Sequence, residues 1–189
     1  MIRPEFRKEL SDQRGVAVIL WSCFTIAIAL YLVIVPNVLA NPKYAAGLSF
    51  GDSARIVLWI LVVVDMGYLI WWKRRHLKRE AILNGVNPAK ILRALEGHKG
   101  ALEQRAAAVV STYVTRKTVA FAIIEAVAVY GLVLGLVGPF LPDHYLLSTV
   151  SLALLAAEFP AERQMETLLQ AVEHTDDSAD RRAAPEGSR

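Results

Sequence analysis

Two carboxyl groups, Glu125 and Asp65, lie inside runs of apolar residues long enough to cross a lipid bilayer. An ionised side chain at the bilayer centre costs about 2.5 to 3.5 kcal/mol on insertion scales, so such a residue has a partner or a role in handling charge. Glu125 follows Lys117 by eight positions and Asp65 precedes Lys73 by eight. On helices, each carboxyl is then ~12 Å along the axis from a basic residue. If Lys73 and Lys117 mark the same interface, the two carboxyls occupy one depth on crossings that run in opposite directions. Facing each other there, both could not stay charged, and at least one would hold a proton at neutral pH. The alternative is that each is hydrogen-bonded separately inside a bundle, or that Asp65 snorkels to the near interface.

Other chemistry is hard to find in the sequence. No glycine-rich phosphate loop, zinc-ligand spacing, or nucleophile with a supporting base stands out. His76, His98, His144 and His174 all fall outside the apolar blocks, which disfavours a haem anchor needing axial histidines within the membrane. Cys23 is the single cysteine, excluding an internal disulfide, and reads as a small packing residue. Glu158, close to Pro160 and Arg163, reads as a residue at the interface. The expectation is no catalytic residue, no metal, no cofactor and no enzymatic activity. Ala128, Gly131 and Gly135 put small residues on one helical face, allowing close helix approach within the chain or in a dimer.

The run from Glu125 through Tyr130, Gly131 and the following apolar residues resembles the ion-carrying outer helix of rotary ATPase c subunits. In that family a membrane-embedded Glu is followed, five and six residues on, by Tyr and Gly. The resemblance implies that Glu125 is a proton-binding carboxyl and that Tyr130 shapes its site. Ala126 and Val129 offer no hydroxyl to ligand sodium, so a proton is the ion implied. The likeness covers residues 121–137. The preceding block holds only Gly67, where the family's inner helix is glycine-rich for ring packing. What is implied is a proton-binding helix, not a ring-forming rotor. As a whole, the chain looks like a small four-helix membrane protein.

The elements that must position these residues follow from how hydropathy is spread along the chain. Of 189 residues, 54% are hydrophobic, and they collect in four blocks separated by charged segments. That is a bilayer pattern. A charged segment over residues 1–15 precedes the first block at 16–35, which ends at Pro36 and Asn37. A cleaved signal peptide ending near Ala40 is the rival reading, though the block is longer than a typical signal core. A turn-rich loop over 41–53 leads to the second block at 54–72. Trp71 and Trp72, then Lys73, Arg74 and Arg75, form an aromatic belt and a basic anchor at the membrane interface.

Residues 73–118 predict two or three amphipathic helices, broken at Asn84-Gly85 and restarted at Asn87-Pro88, the last running into the third block at 119–137. A turn over 138–144, holding Pro142 and Asp143, leads to the fourth block at 145–159. Within 161–189, disorder is predicted from about residue 175. The fold class is therefore all-α, an integral membrane protein of four transmembrane helices with an amphipathic helical cytoplasmic loop. Lys and Arg crowd the 73–118 segment and are missing from the 138–144 turn. The positive-inside rule then puts both termini and the middle loop in the cytoplasm of an inner-membrane protein.

Net charge is +3 and sorted beside the apolar blocks, which points to lipid headgroups and gives no case for nucleic acid. Expected partners are the lipid bilayer and either further copies of the chain or the other subunits of a membrane complex. Three roles fit: an accessory protein with a proton-binding Glu125, an anchor or assembly subunit holding a partner through its basic helices, or a small oligomeric channel or transporter.

Overall fold

The computed structural model describes residues 4–40, 52–84, 101–138 and 140–183. The described residues are almost all helical, with no strand among them. The helices are α1 (Pro4–Leu39), α2 (Asp52–His76), α3 (Arg79–Asn84), α4 (Ala101–Val137), α5 (Leu141–Ala157) and α6 (Glu162–Ala183). Three of them are long and apolar enough to cross a membrane: Gln13–Leu39 within α1, Asp52–His76, and Leu102–Val137 within α4. Helix α5 is apolar but shorter, at 17 residues.

The boundaries differ from the sequence expectation at three places, each for a local reason. Helix α1 continues past Pro36 to Leu39. Proline removes one backbone donor, and the Asn37 amide adds a bond to the Val33 carbonyl in that turn at 2.6 Å. Helix α5 starts at Leu141, so Pro142, Asp143 and His144 belong to its first turn and not to the connecting turn. Proline favours this because its fixed φ suits the first helical turn, where its missing donor costs nothing. Helix α6 runs to Ala183, past residue 175 where disorder was expected. Residues 175–183 contain neither Gly nor Pro, and the breakers Pro185 and Gly187 come later. The loop over 41–51, the Asn87-Pro88 restart and the 85–100 segment lie outside the described residues.

The chain forms two compact units. One comprises Met1–Ala17, His76–Arg116 and Pro160–Arg189. Its core sets Ala106, Val109, Val110 and Tyr113 of α4 against Met165, Leu168, Leu169 and Val172 of α6, with Ile82 of α3. Small alanines on α4 let the bulkier α6 side chains approach its backbone. The Tyr113 hydroxyl donates to Gln164 at 2.6 Å, and Arg14 reaches the Pro160 carbonyl and Glu162.

The other unit comprises Val18–Arg75 and Lys117–Phe159, drawing on α1, α2, α4 and α5. Contacts between these helices fix their directions. Trp21 Nε1 donates to the Leu155 carbonyl while Val35 packs at His144, so α1 and α5 are antiparallel. Arg55 pairs with Asp143 and Lys73 with Glu158, so α2 and α5 run the same way. The result is an up-down-up-down arrangement. One end carries Arg55 and Asp143, the other Lys73, Lys117 and Glu158. Large apolar side chains stand exposed along α1 (Ile19, Ile26, Leu30, Val33) and α2 (Ile56, Ile60, Val63, Val64).

Candidate functional site

In the unit built from α1, α2, α4 and α5, several polar side chains are buried while many large apolar ones are exposed. Helix α5 displays this most plainly. It buries Asp143, His144, Ser148 and Ser151 together with Leu147 and Leu155. It exposes Tyr145, Leu146 and Val150. The buried polar positions fall at steps of four and three, one face of an α-helix.

Glu125 of α4 is half-buried, and the hydroxyl of Tyr31 on α1 donates to its Oε1 at 3.0 Å. Asp65 of α2, also half-buried, accepts a hydrogen bond from the hydroxyl of Tyr130 on α4 at 2.8 Å. Each carboxyl thus has its own tyrosine. Tyr130, which the c-subunit likeness would put at Glu125, is bonded to Asp65. The long tyrosine side chain leans back towards the N-terminus of its helix, which takes Tyr130 towards the level of Asp65.

At one end of the unit, Glu158 is bound by two lysines. Lys73 engages its Oε1, and Lys117 its Oε2 and, at 3.4 Å, its carbonyl. Since both lysines meet one carboxylate, they share one end of the unit. Trp21, from α1, stands edge-on to Phe159 with ring centroids 5.0 Å apart. Of the interface residues picked from the sequence, Trp71 stacks near Tyr68 at 5.4 Å, and the Arg75 guanidinium lies 5.5 Å from the centre of the Trp71 ring. Trp72 is 6.1 Å from Tyr68, and Arg74 is exposed.

At the opposite end, Arg55 holds Asp143 with both prongs of its fork, at 2.6 and 3.0 Å, and lies 5.1 Å over the Phe140 ring. A planar guanidinium matches a carboxylate in this bidentate way.

Next to Asp143, at this same end, His144 is fully buried. Two glycines of α4 make room for it. A Cβ on Gly131 would lie 3.0 Å from Leu147 Cβ and 3.3 Å from the His144 carbonyl oxygen. A Cβ on Gly135 would lie 2.8 Å from Val35 Cγ1 and 3.1 Å from His144 Cβ. The small-residue face of α4 therefore packs inside the chain, and Ala128 on it is fully buried. His144 Nδ1 is 3.5 Å from Ser148 Oγ, and the backbone of Gly131 and of Tyr31 acts on the ring as a hydrogen-bond acceptor. No described atom is in hydrogen-bonding geometry with His144 Nε2 or with Ser151 Oγ, both buried. The sequence reading puts His144 one residue before the fourth apolar block; it belongs to the first turn of α5 and is buried there.

Sequence reasoning missed Tyr31, His144, Ser151 and the two-lysine grip on Glu158. Only the serine and histidine spacing on α5 carried a signal, a polar stripe at helical period. No group of three or more His, Cys, Asp or Glu side chains suited to a metal occurs among the described residues. Comparison with known proteins gives no match to a protein-family model, to a curated protein or to a solved structure.

Proposed function

We propose that the chain is a small integral membrane protein crossing the bilayer four times, through α1, α2, α4 and α5, and that it binds a proton at Glu125. The observation that carries the proposal is the inverted sidedness of α5, which buries Asp143, His144, Ser148 and Ser151 and presents Leu146 and Val150 outward. In water this arrangement would be upside down; against hydrocarbon it is the favourable one. Helix α5 is short for a span, but its two ends meet partners at the two ends of the unit, as those of a crossing would.

Within that bilayer reading, the carboxyls differ in their partners. Glu158 has two lysines and Asp143 has an arginine, whereas Glu125 and its proposed companion Asp65 each meet a neutral tyrosine hydroxyl. A carboxyl in hydrocarbon opposite a neutral donor is better suited to carry a proton than a charge. The likeness of residues 121–137 to the c-subunit helix supports the same role. The lysine end is the cytoplasmic one by the positive-inside rule, which places both termini in the cytoplasm. The protein acts as an accessory subunit that binds or passes protons in a larger membrane complex.

Hydrophobic carbodiimide, which reacts with a protonated carboxyl inside a membrane, tests this directly. Labelling at neutral pH should include Glu125 by mass spectrometry, and the label at that position should be lost in Glu125→Gln. An unlabelled Glu125 in folded, reconstituted protein would remove the proposal.

A further inference from the structure

We infer that His144 and Ser151 belong to an internal proton-exchange route connecting Glu125 to the Arg55–Asp143 end of the bundle. The inference rests on Glu125 being the proton-binding carboxyl, and adds the side from which it is served.

Three observations carry it. First, two polar side chains on one face of α5 are completely buried: Ser151 Oγ has no described partner, and His144 Nε2 lacks a well-formed hydrogen bond although the backbone of Gly131 and of Tyr31 acts on the ring. A buried polar atom left unpaired is costly, so both atoms call for a small hydrogen-bonding ligand. Second, Ser151 stands at the height of Glu125. It lies seven residues from Glu158 along α5, and Glu125 eight residues from Lys117 along α4, with Lys117 bound to Glu158. At 1.5 Å per residue the two lie about 10.5 and 12 Å along their helices from the Lys117–Glu158 pair, so they share a level to within the reach of those side chains. Third, Tyr31 touches both parts. Its hydroxyl holds Glu125, and its backbone lies beside the His144 ring.

Water is the ligand these atoms suit, being small, neutral, and both donor and acceptor. Each transfer moves one proton. The Glu125 carboxyl releases it to the hydroxyl-lined path of Ser151 and Ser148, and His144 takes it on one ring nitrogen while releasing one from the other. Serine and imidazole return to their starting states, and no other reactant is needed. The charged and titratable groups around His144 are Asp143 and Tyr145 on its own helix, Tyr31 from α1, and Arg55 from α2, which neutralises Asp143. Gly131 and Gly135, from α4, contribute none. At the other end, the two lysines on Glu158 put positive charge in the way of a proton.

The test uses the full chain in vesicles of uniform orientation, with the pH on each side set independently, and reads the rate of carbodiimide labelling at Glu125. In the natural protein, raising the pH by two units on the Arg55–Asp143 side should slow labelling at least fivefold, while the same change on the lysine side should leave it within twofold. Ser151→Ala removes only an unpaired hydroxyl, so the fold persists, and the response to the Asp143 side should fall at least threefold. His144→Gln should abolish that response. Labelling governed from the lysine side, or an unaltered response in Ser151→Ala and folded His144→Gln, overturns the route while leaving Glu125 as the proton-binding group. Absence of Glu125 labelling at every pH overturns both.

Discussion

Removing the charge of Glu158 should be the most damaging single change to the ion cluster, and burial supplies the ranking. Side-chain exposure is 8% for Glu158, 6% for Lys117 and 45% for Lys73. In Glu158→Gln the buried ammonium of Lys117 keeps only neutral acceptors, among them the carbonyl of residue 158 at 3.4 Å. Breaking a buried pair from one side costs about 3 to 5 kcal/mol, because the remaining charge stays desolvated. Lys117→Met is milder, since Glu158 keeps Lys73 and the apolar stem is replaced; about 1 to 3 kcal/mol is expected. Lys73→Met removes a half-exposed partner and should cost about 0 to 1 kcal/mol. The double variant Lys117→Met with Glu158→Gln buries no unpaired ion, so it should be more stable than Glu158→Gln alone. Reversible unfolding in mixed micelles, followed by tryptophan fluorescence, measures all four. A Lys73→Met loss equal to that of Glu158→Gln, or a double variant no better than Glu158→Gln, would refute the burial-based ordering.

The glycines of two helices should respond in opposite directions. Gly135→Ala puts a methyl 2.8 Å from Val35 Cγ1 and should destabilise by up to about 2 kcal/mol, overpacking outweighing the helix-propensity gain. Gly67→Ala, with nothing within 4 Å, should stabilise by up to about 1 kcal/mol in the same unfolding assay. Arg55→Lys keeps the charge but loses the two-pronged grip on Asp143 at 2.6 and 3.0 Å and the stacking over Phe140. With Arg55 half-exposed, a small fall in the unfolding midpoint is expected.

Much of the helical order was legible because it depends on the chain locally. Length, apolar content and charge placement along residues 16–35, 54–72 and 119–137 are properties of each segment alone, and each gives a long apolar helix. The start of α5 was less legible. Pro142 and Asp143 fit a turn as well as a first helical turn, and the choice depends on the Arg55 that receives Asp143. For the candidate site, Glu125 and Asp65 stood out because carboxyls are conspicuous in apolar runs. Their tyrosines did not. Tyr31 lies 94 residues from Glu125 in sequence, and Tyr130 lies 65 from Asp65. A tyrosine in an apolar block looks the same whether it faces lipid or a carboxyl.

By itself, the sequence determined the class of the protein: apolar helices, basic segments beside them, and two carboxyls too costly to leave unaccompanied in hydrocarbon. Only the tertiary structure decided which hydroxyl meets which carboxyl, that two lysines close on Glu158, and that His144 is buried beside Asp143. The physical reason is that burial and pairing belong to several helices at once. Gly131 and Gly135 on α4 leave the space, Val35 on α1 helps to close it, and α5 turns its polar face inward to fill it.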